Sequence, residues 1–275
     1  MPYLFDHFDQ VRELLALSPL GVFTDIDGTI SDIAPSPSEA RVSESCRESL
    51  ETLAGQVALV AAVSGRSVAD ARAMVGLDGI VYIGNHGCER WVGGVTELLP
   101  GVQEYAARIE ALLDKLRQIL RIDGLSFEYK GPTATVHYRG SSDRPAARDA
   151  IVSALRGLPD AADLRIAEGK MSIEIRPPLR VSKGTAVIAE AGGRGLCAAI
   201  YLGDDLTDVD VFAALHSSGL PFKGLCIGVL GEETPPEVPA EADFTLNGVG
   251  DVERFLKQVV AEVAVASCLR SWSWE

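Results

Sequence analysis

Short apolar runs alternate with helically spaced apolar residues in the flanking parts of the chain. The runs predict strands and the periodic segments predict helices: strands over 20–24, 57–63, 80–84, 197–202 and 224–229, and helices over 43–54, 67–75, 184–192, 208–215 and about 250–265. Strands that are apolar throughout and alternate with helices are typical of a parallel sheet covered on both faces. These segments are therefore predicted to form one α/β unit.

The middle of the chain follows a different pattern, in which apolar and polar residues alternate over short runs. The predicted order is helix, strand, strand, helix, strand, strand, with helices over 101–121 and 143–156 and strands over 125–130, 133–139, 163–168 and 171–176. This order suits a small open α+β sheet. We expect it to form a domain over 101–177, inserted into an α/β core made of 1–100 and 178–275.

Composition and charge narrow the class of partner. The chain has 275 residues, 47% of them hydrophobic and 23% charged, as in an ordinary globular enzyme, and its net charge is −14. Nucleic acid and anionic membranes need a basic surface, and no Lys/Arg cluster is present, so neither is an expected partner. The sequence leaves the oligomeric state open. An anionic substrate would need a local cation, from a metal or from a few basic side chains.

Targeting signals and cysteine spacing point to a cytoplasmic protein. No basic, then apolar, signal-peptide pattern opens the chain, and no run of about 18 apolar residues predicts a membrane span. The cysteines are scattered and form no CxxC pair, so a structural zinc site is not expected: they are Cys46, Cys88, Cys197, Cys226 and Cys268.

The most informative motif is FTDIDGTI at 23–30, where two aspartates directly follow an apolar strand. Residues two apart in an extended chain point the same way, so Asp25 and Asp27 are predicted to share one side of the strand end, where α/β folds place their sites. An acidic turn is one alternative. A calcium loop is another, but it would place glycine sixth and glutamate twelfth, where this chain has Gly28 fourth and Ser36 twelfth.

A second acidic cluster lies in YLGDDLTDVDVF at 201–212, again between an apolar strand and a helix. Helix capping explains one or two aspartates but not four, and Asp208 is the best cap candidate as well as a site candidate. Asp204 is the better metal ligand because it is nearest to the strand. A set of oxygen ligands without histidine or cysteine favours magnesium over zinc.

A hydroxyl and an ammonium group complete the set. Ser64 ends the strand 57–63, and Lys183 opens a helix in SKGTAV. Alone, the first is typical of a turn and the second of a solvated lysine. Phosphoryl transfer needs such donors around the equatorial oxygens, and their order with the two acidic clusters gives them weight.

That order resembles the haloacid dehalogenase-like phosphatases, whose motifs match DIDGT (25–29), Ser64, Lys183 and GDDLTD (203–208). Further segments resemble the trehalose-6-phosphate phosphatases: NHGCE (85–89), FEYKG (127–131), VHYRG (136–140), EGKMSIEIRP (168–177) and GDDLTDVDVF (203–212). Val209 departs from the acidic residue common in the family. The resemblance implies a Rossmann-like parallel-sheet core with an inserted α+β cap domain.

The resemblance also implies roles. Asp25 would attack phosphorus, and Asp27 would act first as general acid and then as general base. Mg²⁺ would be held by Asp25, the carbonyl of Asp27 and Asp204. Asp205 and Asp208 would support these ligands from behind, with Asp208 orienting a bound water or Lys183. Ser64 and Lys183 would bind the phosphoryl oxygens.

Sugar recognition is expected in the cap. Glu128, Lys130, His137 and Arg139 alternate on two adjoining predicted strands and could form one polar face, which Glu174 could join. The alternative is a solvated sheet face. Arg66 could also contact the sugar. His86 is expected only to shape the turn after its strand, and no pattern supports a role for His216.

The resemblance implies a magnesium-dependent phosphatase that acts on trehalose 6-phosphate through an aspartyl-phosphate. One rival keeps the chemistry with another sugar phosphate, such as sucrose phosphate or a glycosyl-glycerate phosphate. A second is a catalytically silent sugar-phosphate-binding module. A dehydrogenase or a P-loop kinase lacks its phosphate loop here, because AGGRG (191–195) precedes a strand and is interpreted as a helix stop.

Overall fold

The computed structural model describes residues 1–34 and 39–272, with side chains up to Leu269. The chain forms two compact units, one made of Met1–Thr96 with Val181–Glu275 and the other of Glu97–Arg180. The second unit is called the middle unit below, and the first the core unit. Their limits lie within four residues of the expected domain limits at 101 and 177. The role of the middle unit as a substrate-binding cap stays a prediction.

The first part of the core unit alternates helices with strands. In chain order its elements are α1 (Phe8–Leu15), β1 (Leu20–Thr24), α2 (Glu44–Ala54), β2 (Leu59–Val63), α3 (Val68–Val75), β3 (Val81–Gly84), β4 (Glu89–Val92) and β5 (Val95–Leu98). Serine side chains cap α2 and α3 at Ser43 and Ser67. Gly76 ends α3 in the left-handed region, at φ 71°, which glycine adopts without a steric cost.

The middle unit has its own sheet and apolar core. Its elements are α4 (Gln103–Ile119), β6 (Ser126–Tyr129), β7 (Ala134–His137), α5 (Arg144–Gly157), β8 (Arg165–Gly169) and β9 (Ser172–Arg176). The strands pair antiparallel in the order β6-β7-β9-β8. One face of the sheet packs against both helices through residues such as Val136, Ile173, Leu112 and Ile151. The opposite face is left for polar side chains.

The last part of the chain completes the core unit. Its elements are α6 (Lys183–Gly193), β10 (Ala198–Gly203), α7 (Leu206–Leu215), β11 (Lys223–Leu230), α8 (Glu237–Glu241), β12 (Phe244–Asn247) and α9 (Gly248–Trp272). AGGRG ends α6 at Gly193, so its interpretation as a helix stop is confirmed. No helix of the described residues is both long enough and apolar enough to cross a membrane.

The core unit is one twisted sheet with apolar layers on both faces. Its strand order is β12-β11-β10-β1-β2-β3-β4-β5, parallel from β12 to β3, with β4 antiparallel to β3. Helices α1, α2, α3 and α9 contribute to one layer, and α6, α7 and α8 to the other. The predicted α/β class with a parallel-sheet core is confirmed.

The position of β1 determines where a site can form. Thr24, the last residue of β1, is in register with Leu202 of β10 and with Ala62 of β2. The chain leaves β1 toward β2 on one side, and β10 lies on its other side, so β1 is a topological switch point. The residues that follow these three strands therefore meet at one edge of the sheet.

Candidate active site

Asp25 directly follows β1 and lies at this edge. Its backbone N–H donates to the carbonyl of Leu202 at 2.8 Å, which extends the pairing of β1 with β10 by one bond. The carboxylate is buried, and its Oδ1 accepts a hydrogen bond from Lys183 Nζ at 2.7 Å. Asp25 and Lys183, 158 positions apart in the chain, thus form a buried ion pair.

Lys183 is the first residue of α6, and a capping box between Ser182 and Thr185 fixes the start of this helix. Its ammonium group is buried and also donates to Asp208 Oδ1 at 2.8 Å. Burial lowers the pKa of Lys183, but the charges of Asp208 and Asp25 and their hydrogen bonds outweigh it, so the pKa is raised. Lys183 is therefore held as a cation.

Both carboxylate oxygens of Asp208 accept hydrogen bonds. Its Oδ1 accepts from Lys183 and from the hydroxyl of Tyr201 at 2.6 Å, and its Oδ2 from the backbone N–H groups of Asp204 at 2.9 Å and Asp205 at 3.0 Å. Burial raises the pKa of Asp208, but Lys183 and these donors outweigh it and the pKa is lowered. Asp208 is positioned to hold Lys183 in place.

The expectation that Asp208 caps the helix is wrong. Asp205 is the N-cap residue of α7, and Asp208 is the third helical residue, which closes a capping box by accepting from the backbone of Asp205. The loop between β10 and α7 has two residues, Asp204 and Asp205, whereas the predicted bounds left five. Asp205 therefore fixes the helix start.

Asp204 brings a third carboxylate to the site. Carboxylate oxygens of Asp25, Asp204 and Asp208 all lie within 4.8 Å of one another, and all three residues are buried. Gly28, at φ +89°, passes so close that a Cβ on it would lie 1.9 Å from Asp204 Oδ2. The glycine of DIDGT thus allows the loop to close over Asp204.

This arrangement fits a divalent cation. Three buried carboxylates against one buried ammonium leave an excess of two negative charges when all are ionised. Burial and the charges of Asp208 and Asp204 raise the pKa of Asp25 well above its usual value, although Lys183 lowers it. Hard oxygen donors of this kind suit Mg²⁺. The carbonyl of Asp27 as a further ligand stays a prediction.

Asp27 has a different partner from Asp25. Its two carboxylate oxygens accept from Arg66 Nε and a terminal Arg66 nitrogen, both at 2.7 Å, which is the bidentate geometry of a strong ion pair. The structure thus places Arg66 on the second aspartate of the motif. Whether Arg66 also contacts a sugar stays a prediction.

Ser64 follows β2 and is buried beside this pair. Its Oγ accepts from the backbone N–H of Arg66 at 3.1 Å. The His86 ring covers the next residue, since a Cβ on Gly65 would lie 2.6 Å from it. His86 has φ 56° and its backbone N–H donates to the Ser64 carbonyl at 3.0 Å, as expected of a residue that shapes this turn.

In the middle unit, the structure brings Glu128, His137 and Lys130 together on the sheet face opposite the helices. His137 Nε2 lies 2.7 Å from Glu128 Oε2, and Lys130 Nζ lies 3.5 Å from the same oxygen. Burial raises the pKa of Glu128, but the hydrogen bond from His137 and the charge of Lys130 outweigh it, so the pKa is lowered.

Of the other predicted residues of this face, Arg139 differs from expectation and Glu174 agrees with it. Arg139 lies in the turn after β7, which ends at His137, and not on the strand as predicted. Glu174 is on β9 in register with Thr135, and it forms an ion pair with Arg176. The face is therefore two neighbouring charged pairs on paired strands.

Sequence reasoning missed Tyr201 and Arg176. Tyr201 is the one polar-tipped residue in the apolar run CAAIYL, and its spacing from Asp208 gave no sign of their contact. Arg176 alternates with Glu174 and Ser172 on β9, so the same rule of two that selected Glu174 would have found it.

Comparison with known proteins adds an independent finding. The family described as Trehalose-phosphatase matches residues 23–249. An uncharacterized glycosyl hydrolase of Mycobacterium tuberculosis is 36% identical over 281 residues, covering 97% of this chain and 20% of that protein. A trehalose-phosphate phosphatase of the same organism is 33% identical over 224 residues, covering 76% of this chain and 54% of that protein.

A solved structure shares the fold. The crystal structure of a trehalose-6-phosphate phosphatase related protein superimposes with a TM-score of 0.72 at 25% identity, covering 88% of this chain and 97% of that one. By contrast, the chain spans about a fifth and about half of the length of the two curated relatives.

Proposed function

The chain belongs to the trehalose-phosphatase family, and from this premise we propose that it hydrolyses trehalose 6-phosphate to trehalose and inorganic phosphate. The observation that carries the proposal is the buried arrangement of Asp25, Lys183 and Asp208 at the switch point of the sheet. A buried lysine between two carboxylates is costly for a merely structural role, since apolar residues would fill the space as well.

Asp25 is the proposed nucleophile. Its Oδ1 is bound to Lys183, which leaves Oδ2 to attack phosphorus. The bond between phosphorus and the sugar oxygen breaks as the aspartyl phosphate forms, and water later releases phosphate from it. Lys183 and the Ser64 hydroxyl, whose oxygen already accepts from Arg66, would donate to the phosphoryl oxygens.

Asp27 is the proposed acid and base. It would protonate the leaving sugar oxygen and later take a proton from the attacking water. Because both of its oxygens accept from Arg66, a proton on either one weakens one of these bonds. Protonation of Asp27 before the acid step would therefore release one guanidinium bond, and transfer of that proton to the sugar oxygen would restore it and leave the carboxylate as the base.

The acidic residues would hold magnesium, through Asp25, Asp204 and the carbonyl of Asp27, with Asp205 and Asp208 behind them. When bound, Mg²⁺ would neutralise charge on the phosphoryl group and on the carboxylates. Asp208 has all its oxygens occupied by donors, so its part is to orient Lys183 and the backbone of Asp204.

The polar face of the middle unit is the proposed sugar-binding surface. This surface offers hydrogen-bond donors and acceptors in the density that sugar hydroxyls require, from Glu128, Lys130, His137 and Glu174. Arg139 and Arg66 stay candidates for the same role. A cytoplasmic location, expected from the scattered cysteines, also stays a prediction.

Phosphate release from a panel of sugar phosphates tests the substrate. Trehalose 6-phosphate is compared with sucrose 6-phosphate, a glucosylglycerate phosphate and glucose 6-phosphate, each with Mg²⁺ and with a chelator. We expect the highest kcat/KM for trehalose 6-phosphate and loss of activity with the chelator. If another sugar phosphate had the higher kcat/KM, the proposed substrate would be wrong, and the proposed phosphatase mechanism would stand.

Asp25→Asn tests the mechanism. The variant keeps the size and the hydrogen bond from Lys183 but loses the nucleophile, so turnover should fall by at least about 10³-fold. The silent binding module would be indicated instead if the wild-type protein hydrolysed none of the sugar phosphates and yet bound trehalose 6-phosphate.

A further inference from the structure

A second cluster of metal-binding side chains lies in the core unit and is made of residues that the proposed reaction does not use. His216 is the C-cap residue of α7, Cys226 is on β11, and Asp243 immediately precedes β12. One ligand atom from each of the three lies within 4.8 Å of the other two. The cluster forms only in the folded chain, because its members are up to 27 positions apart in sequence.

The distances within the cluster are close to those of one tetrahedral ion. His216 Nε2 lies 3.2 Å from both carboxylate oxygens of Asp243. Two nitrogen or oxygen ligands of the same zinc ion lie about 3.4 Å apart, and a sulfur and a nitrogen about 3.6 Å apart, given zinc bond lengths and the tetrahedral angle. The Cys226 sulfur lies within 4.8 Å of the other two ligand atoms, so it has to approach them by at most about 1.2 Å.

Asp243 is already oriented for this purpose. Its Oδ2 accepts the backbone N–H of Cys226 at 2.8 Å, and its own backbone N–H donates to the Cys226 carbonyl at 2.9 Å. These bonds fix the carboxylate and leave its other oxygen toward His216. Such support of a ligand from behind is what metal sites need to be selective.

The donors indicate the class of metal. Sulfur, imidazole nitrogen and carboxylate oxygen together suit zinc, whereas the all-oxygen group around Asp25 suits magnesium. Cys226 is buried, while the side chains of His216 and Asp243 are 38% and 36% exposed. An ion can thus enter from the solvent side.

We propose that His216, Cys226 and Asp243 form a structural zinc site, separate from the catalytic centre. Binding would exchange one proton for the metal, because the Cys226 thiol becomes a thiolate bonded to zinc and its proton passes to solvent. The ion would tie the end of α7 to β11 and to the start of β12. Asp208, the third residue of α7, and His216 at its C-cap are eight positions apart, which is about 12 Å along the helix.

Cobalt(II) titration of the metal-free 275-residue chain tests the site. A cobalt–thiolate bond gives a charge-transfer absorption in the near ultraviolet that oxygen ligands do not give. We expect one equivalent of Co²⁺ to produce this band, Zn²⁺ to displace it and Mg²⁺ to leave it unchanged. The band should persist in Asp204→Asn, in which the proposed magnesium site is impaired.

Two ligand variants and one control identify the residues. Cys226→Ala should abolish the band, and Cys197→Ala, which removes an exposed thiol, should leave it intact. His216→Asn, on an exposed helix end, should weaken Co²⁺ binding by about tenfold or more without altering Mg²⁺-dependent activity. His216→Asn keeps the test decisive if Cys226→Ala does not fold.

Three outcomes would overturn the proposal. These are a wild-type protein without the band, a band that survives Cys226→Ala, and unchanged Co²⁺ affinity in His216→Asn. None of them bears on the phosphatase proposal, which the substrate panel decides separately.

Discussion

At the scale of single residues, the carboxylates of the proposed catalytic centre differ in the donors that stabilise them. Asp208 accepts four hydrogen bonds, two from side chains and two from the backbone. Asp27 accepts two, both from the guanidinium group of Arg66. Asp25 accepts a hydrogen bond from Lys183 on Oδ1, and burial with its acidic neighbours raises its pKa. Asp208 is thus engaged on both oxygens, which suits a positioning role, and Asp25 is the carboxylate proposed to react.

Tyr201→Phe removes a donor from a buried charged group. We expect the free energy of unfolding to fall by about 1.5–3 kcal/mol, because a hydrogen bond to a charge contributes more than a neutral one. Tyr82→Phe is the control: it is equally buried, but its hydroxyl donates to the Leu77 carbonyl and accepts from the Leu77 N–H, both neutral, so a smaller loss is expected because no charged group is left without a donor. Equal losses in urea unfolding would contradict the charged role of Asp208.

Gly28→Ala places a methyl group against Asp204. The added Cβ would lie 1.9 Å from Asp204 Oδ2, so the carboxylate must move, and we expect the Mg²⁺ concentration for half-maximal activity to rise about tenfold or more. Gly93→Ala is the control, since Gly93 also has a positive φ but nothing within 4 Å. It should leave the Mg²⁺ dependence unchanged; a similar rise in both variants would show backbone strain as the cause.

At the scale of elements, the polar face of the middle unit is set by the pairing of its strands. Glu128 of β6 is in register with Thr135, and Ser126 with His137, so Glu128 and His137 are diagonal neighbours on the same face. Lys130 lies in the turn after β6, and its ammonium group forms an ion pair with Glu128. Register therefore determines which charges meet.

The cluster of Glu128, His137 and Lys130 should make the free energy of unfolding fall at low pH because of the lowered pKa of Glu128. Its pKa in the folded chain is below the ordinary value of 4.5, so the unfolded chain takes up the proton first as pH falls. The stabilisation is complete above that value and is lost as pH falls through the folded pKa. Between about pH 6 and pH 3, wild type should lose more unfolding free energy than Glu128→Gln.

Glu110→Gln provides the comparison, because Glu110 is an exposed residue of the same unit. Its acid dependence, measured by urea unfolding at each pH, should match that of wild type. A wild-type profile that also matches Glu128→Gln would mean that the cluster adds nothing to stability.

At the scale of the whole molecule, the two compact units each have their own core. The middle unit, Glu97–Arg180, buries residues of α4, α5 and its sheet in a cluster of its own. We expect a fragment of residues 97–180 to unfold cooperatively, as seen by circular dichroism during heating. Ile151→Ala, which empties space in that core, should lower its midpoint, whereas Arg156→Ala on the exposed side of α5 should not. A fragment without a cooperative transition would contradict the domain prediction.

The sequence alone determined the class of the fold and selected the candidate residues of the proposed catalytic centre. Buried parallel strands are apolar along their whole length, so β1, β2, β10 and β11 are visible as runs. Candidate site residues follow β1, β2 and β10. Short or exposed elements lack that signal. This is why β5, all of whose residues are exposed, and the five-residue helix α8 were not predicted.

Only the tertiary structure decided which side chains meet. The pairing of Asp27 with Arg66, the contact of Tyr201 with Asp208 and the helix cap at Asp205 depend on distances that no spacing rule gives. The same holds for His216, Cys226 and Asp243, which have no metal motif in sequence and yet lie together. Local periodicity follows from the backbone of one element, whereas these contacts follow from the packing of several elements at one sheet edge.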